Sequence, residues 1–127
     1  MAASTAVNLN INGKTGQLSY TNTISSLSGG LTPNFPLTSG CISYEVTYML
    51  NGAGSLQMQK SDNDPRESLN TATPIPQLWA NIGTASTGAT VQTYVQSGPS
   101  MQVRGNITGG SGTDVFTITI VASYSNT

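Results

Sequence analysis

Apolar residues recur at every second position in two runs of the chain, and this alternation constrains the fold more than any other feature. From Cys41 to Leu50, the residues Ile42, Tyr44, Val46, Tyr48 and Leu50 share one face, while Ser43, Glu45 and Thr47 take the other. From Val115 to Tyr124, Phe116, Ile118, Ile120, Ala122 and Tyr124 oppose Thr117 and Thr119. A period of two places successive side chains on opposite faces of a β-strand, with one face toward a core. Both runs are rich in β-branched and aromatic residues, which suit a half-buried pleated surface.

Shorter alternations fill the rest of the chain. Val7, Leu9 and Ile11 precede Asn12-Gly13, and Leu18 and Tyr20 follow, so this stretch reads as a hairpin. Asn51-Gly52-Ala53-Gly54, before Leu56 and Met58, reads as a second hairpin turn. Val91, Thr93 and Val95 form one further run, and Met101, Val103 and Ile107 another. No long window holds a helical period without an interrupting Gly or Pro. Ser28 to Pro36 reads as a loop or extended crossing, because its prolines cannot donate to a ladder. Residues 61–76 form a long polar loop carrying Asp62, Asp64, Arg66 and Glu67 beside Lys60. The expected fold is all-β: a single β-sandwich domain over 1–127, jelly-roll-like or immunoglobulin-like, with about seven to nine short antiparallel strands. Residues 1–12 are expected to form an arm or an added strand.

Composition bears on function. Only 7% of the 127 residues are charged, against roughly a quarter in an ordinary soluble domain. A net charge of −1 and four scattered basic residues give no patch for nucleic acid. No run reaches the ~18 apolar residues of a membrane span, and the opening Met-Ala-Ala-Ser-Thr has no secretory-signal pattern. Near-neutral surfaces keep monomers apart poorly, which points toward life in an assembly.

No enzyme and no cofactor is expected. The chain has no histidine, which removes Ser-His-Asp and Cys-His nucleophiles and histidine-ligated metals. Its one cysteine, Cys41, can form neither an intrachain disulfide nor a structural zinc site, and reads as a small buried hydrophobe. Asp62-Asn63-Asp64 opens like a calcium loop, but Arg66 and Glu67 occupy the positions that need an oxygen ligand and a glycine. Three expectations concern side chains that could bind. Trp79 is either a core side chain plugging one end of the sandwich, or a stacking platform or interface anchor. Arg104 alternates with Met101 and Val103, as a solvent-facing strand arginine or an interface anchor. Asp62, Asp64 and Arg66 make a solvated loop tip that is a further interface candidate.

A larger pattern spans about 80 residues, from Tyr44 to Tyr124. An alternating strand and a Gly-rich turn lead into Gln59-Lys60-Ser61-Asp62 and the polar loop. Trp79-Ala80-Asn81-Ile82-Gly83-Thr84 follows, and then Val103-Arg104-Gly105-Asn106-Ile107-Thr108-Gly109-Gly110-Ser111-Gly112 before the final strand. In this order the elements resemble the β-sandwich units of tailed-bacteriophage head-decoration (cement) proteins and of some fibre and neck proteins. Lys60 departs from the common form, which has a small or apolar residue there. The resemblance implies a structural virion protein on the capsid exterior, synthesised in the host cytoplasm. Its expected partners are the major capsid protein and itself, as a homotrimer, with no nucleic acid and no membrane. A carbohydrate- or receptor-binding sandwich, or a fibre or neck subunit, is the alternative.

Overall fold

The computed structural model describes residues 10–12, 15–37, 41–62, 78–98, 100 and 102–124. Nine strands are present among the described residues: β1 (Asn10–Asn12), β2 (Thr15–Thr23), β3 (Phe35–Pro36), β4 (Cys41–Asn51), β5 (Ser55–Ser61), β6 (Ala80–Thr87), β7 (Gln92–Gln96), β8 (Gln102–Thr108) and β9 (Val115–Tyr124). A single 3-10 turn, Ile24–Ser26, is the one helical element among the described residues. The strands form two antiparallel sheets, ordered β1-β2-β9-β4-β7 and β3-β8-β5-β6. With the three-residue β1 set aside, these are the two four-stranded orders of a jelly roll.

Strand pairing is decided far along the chain. β9 is paired on both sides, with Ile120 opposite Leu18 of β2 and Val46 of β4. Of the consecutive strand pairs, β1–β2 and β5–β6 are hydrogen-bonded neighbours, and every other connection passes between the sheets. The turn Asn51–Gly54 is therefore no hairpin, since β4 and β5 belong to opposite sheets. Turn residues reverse the chain, but they do not choose its partner. The apolar faces of β4 and β5 do, by meeting across the core.

That core lies between Tyr44, Val46, Tyr48, Leu50, Phe116, Ile118 and Ile120 on one sheet and Phe35, Leu56, Met58, Ile82, Val103 and Ile107 on the other, all buried. Burying one such side chain contributes about 1.5–3 kcal/mol. Two expectations fail locally. Ile42 is 55% exposed, because the register shifts between Cys41 and Ser43 and turns Ile42 away from the row of Tyr44. Phe35 and Pro36 form a short edge strand against Val103 and Gln102, where a crossing loop is expected. Proline is tolerated there because an edge strand needs donors on one side only. Cys41 is buried, as expected of a small hydrophobe, but strict alternation would set it with Ser43 and Glu45; the same register shift that turns Ile42 out brings Cys41 in.

Neutral hydroxyls form two rungs on the outward face of the first sheet. Ser19, Thr119, Thr47 and Thr93 occupy one rung across four strands, and the Ser19 and Thr119 hydroxyls lie 3.1 Å apart. Thr21 and Thr117 are paired at the same distance.

Beside β8 the chain passes close enough to require glycine. The Gly30 carbonyl accepts from Ile107 N at 2.8 Å, and a Cβ on Gly30 would sit 2.3 Å from the Ile107 carbonyl oxygen. Gly29 shares the left-handed conformation (φ 65°, against 77° at Gly30) but has open space around it. Gly29→Ala is expected to cost about 1–2 kcal/mol, the left-handed penalty alone. Gly30→Ala should cost clearly more, about 3 kcal/mol or above, because backbone must move as well. Urea unfolding of the two variants side by side checks this difference.

Two buried phenols make stability depend on high pH. Tyr44 bonds Ser100 at 2.8 Å, and burial pushes its hydroxyl up to about 12. Tyr48 donates to the Thr84 carbonyl at 2.5 Å and is likewise raised by burial. A raised phenol holds its proton longer folded than unfolded. Its contribution is therefore complete below about pH 10 and is lost as pH rises toward 12. The urea midpoint should fall over that window in step with tyrosinate absorbance, and Tyr44→Phe should flatten the fall.

Candidate interaction site

At the end of the second sheet where β5 leaves and β6 enters, the register gathers polar side chains from three strands. Gln59 of β5 lies opposite Arg104 of β8 on one side and Asn81 of β6 on the other. Their neighbours Met58, Gly105 and Ile82 are buried, so Gln59, Arg104 and Asn81 stand on the outward face. Arg104 Nε donates to Gln59 Oε1 at 2.9 Å, and Gln59 Nε2 donates to Asn81 Oδ1 at 2.9 Å. The Gln59 amide is held at both ends, which fixes the orientation of the guanidinium.

Trp79 completes the group. It precedes β6 by one residue, shares the parity of Asn81, and carries the Arg104 Cζ 4.0 Å from its ring centroid. A guanidinium over an indole face is held by the ring quadrupole, for roughly 0.5–1 kcal/mol at an exposed site. Partial burial draws the Arg104 pKa below its ordinary value, and the group remains a cation at neutral pH. Trp79 is half-buried and lies outside the core, so it does not plug the sandwich. The reason is parity: Ile82 points inward, and Asn81 and Trp79 therefore point out.

Beside this pair is a shallow cleft of about 270 Å³ lined by Lys60, Asp62, Leu78, Trp79 and Ala80. Lys60 Nζ and Asp62 Oδ2 form an ion pair at 2.9 Å, with Asp62 mostly in solvent. Leu78 is 67% exposed. The structure thus brings Trp79 and Arg104 together and sets Asp62 next to them. Asp64, Arg66 and most of the 61–76 loop lie outside the described residues. Sequence reasoning passes over Gln59, Asn81 and Leu78. Strand parity alone signals Gln59, which alternates with the inward Met58; its partners come from strands distant in the chain.

Trp79 is the chain's one tryptophan, so its fluorescence reads this site directly. Arg104→Ala should change the emission and cost about 1 kcal/mol of stability. Arg104→Lys should not restore the emission, because an ammonium lacks the planar fork that both stacks on Trp79 and bonds Gln59. Emission spectra with urea unfolding of both variants decide the point.

No protein-family profile matches the chain, and no curated protein sequence does. Among solved structures it is similar to the SPBc2 prophage-derived protein YomS, at 14% identity over 84% of this chain and 95% of that one (TM-score 0.47). It is similar to the Clostridium thermocellum xylanase 10B CBM22-1–GH10 modules solved with xylohexaose, at 11% identity over 96% of this chain (TM-score 0.46), and spans 29% of that chain. It is also similar to the disulfide-linked pili of Bacillus endospore appendages, at 15% identity over 98% of this chain and 96% of that one (TM-score 0.41).

Proposed function

We propose that the protein is a non-catalytic structural component of a bacteriophage virion that binds the outer capsid surface and stabilises the shell. The observation that carries this reading is the Trp79–Arg104 pair, held outward by Gln59 and Asn81 on a nearly uncharged sheet. Trp and Arg are the residue types most enriched where binding energy concentrates. A guanidinium already fixed by a neighbouring amide loses little freedom on binding, so more of the contact energy is kept. The adjoining exposed Leu78 supplies apolar area beside the anchor. The resemblance of the motif order from Tyr44 to Tyr124 to decoration proteins supports a capsid as the surface bound, with the major capsid protein as the proposed partner. Many weak neutral contacts repeated over a shell bind strongly through multivalency, without charge.

A carbohydrate-binding role is the second reading, favoured by the indole flanked by the Gln59 and Asn81 amides. Arg104 already occupies one indole face, which leaves the other for a sugar ring.

Mixing the purified chain with undecorated capsids and imaging the particles tests the proposal. Wild type should add density at repeated outer positions. Trp79→Ala should lower occupancy at least tenfold at limiting protein, the effect of losing about 1.4 kcal/mol or more per contact. Full occupancy by Trp79→Ala would remove the anchor. Binding to a glycan array, without capsid binding, would establish the second reading instead.

A further inference from the structure

We infer that the β7 edge is a self-association surface, where a second copy of this chain adds its own β7 antiparallel to form one continuous sheet across a two-fold axis. The inference is independent of capsid binding, since the Trp79 site belongs to the other sheet.

An open strand edge invites pairing with other chains, and folded proteins blunt it with short strands, proline, bulges or charge. Among the described strands, three of the four sheet edges are blunted. β1 has three residues, and β3 has two, one of them Pro36. β6 is interrupted by a register shift against β5 and carries Gly83 at φ 68°. β7 has none of these devices. Gln92-Thr93-Tyr94-Val95-Gln96 holds no charge, proline or glycine, and its register with β4 runs unbroken from Tyr48↔Gln92 to Tyr44↔Gln96. Among the described residues, β4 is its sole ladder partner. Val95 is 66% exposed, Val91 60%, and Thr93 lies in solvent between them.

The sequence of β7 identifies the occupant. It is nearly palindromic about Tyr94, so an antiparallel copy sets Gln92 opposite Gln96 of the second copy and Tyr94 opposite its counterpart. Thr93 meets Val95 of the second copy, twice, as β-branched pairs on the outward face. The hydroxyl rung Ser19–Thr119–Thr47–Thr93 would continue across the axis. No charge on either β7 opposes the approach. Five paired residues cover less than the ~800 Å² per partner of a standard stable interface, so the dimer should be reversible and form as concentration rises. A two-fold pair is a different assembly from the homotrimer that the family resemblance implies.

Sedimentation equilibrium of the full chain over a wide concentration range tests this. A reversible monomer–dimer equilibrium is expected. Thr93→Lys with Val95→Lys sets lysines directly opposite each other and should abolish the dimer while leaving circular dichroism and the melting curve unchanged. Thr93→Glu with Val95→Glu should also abolish the dimer, with a modest fall in melting temperature because the new carboxylate at position 95 faces Glu45 of β4, and an equimolar mixture of the two variants should regain dimer as the charges become complementary. A wild type that stays monomeric to its solubility limit, a trimer, or an unaltered dimer in the lysine variant would overturn the inference. Should the doubly substituted chains not fold, hydrogen exchange of the wild type decides: protection of β7 amides that rises with concentration supports the edge, and protection independent of concentration refutes it.

Discussion

The ladder between β4 and β9, from Cys41↔Tyr124 to Asn51↔Val115, is the interaction on which the rest of the structure depends. It joins the two longest strands and places Tyr44, Val46, Tyr48 and Leu50 beside Ala122, Ile120, Ile118 and Phe116 on one inward face. β2 and β7 attach to its two sides, and the second sheet packs its Leu56, Met58, Val103 and Ile107 against that surface. Because β4 and β9 are far apart in sequence, closing this ladder costs chain entropy before burial repays it.

The second sheet depends on this arrangement for its working face. Once Met58, Ile82 and Val103 are committed to the core, the pleat leaves Gln59, Asn81 and Arg104 pointing outward in adjacent strands. Trp79 then covers a cation that would otherwise be fully solvated. The site is a by-product of packing in its position, but its chemistry is specific: an amide relay holds the guanidinium, and the guanidinium holds the indole.

Low charge acts consistently through the molecule. The hydroxyl rungs of the first sheet need no ions to stay hydrated, since Ser and Thr hydrogen-bond water and one another. Glu45 is the one charged residue within its described strands. The same neutrality that lets copies approach at β7 also leaves little long-range repulsion from a protein shell.

Much of this was legible before any coordinates. Alternation in Cys41–Leu50 and Val115–Tyr124 determined the two strands and their inward residues from Tyr44 and Phe116 onward, because side-chain parity is a local property of extended backbone. Composition likewise determined a neutral, histidine-free surface. Only the tertiary structure decided which strands pair, and hence a jelly roll over an immunoglobulin-like order, since partner choice rests on contacts between distant segments. It also decided that Asn51–Gly54 crosses between sheets, that a register shift turns Ile42 outward, and that Phe35–Pro36 joins an edge. Trp79 shows the division most clearly: its bulk and apolar character suggest a core plug, while the strands beside it place it over Arg104. Sequence specifies what each residue prefers, and the fold alone supplies the neighbour that satisfies it.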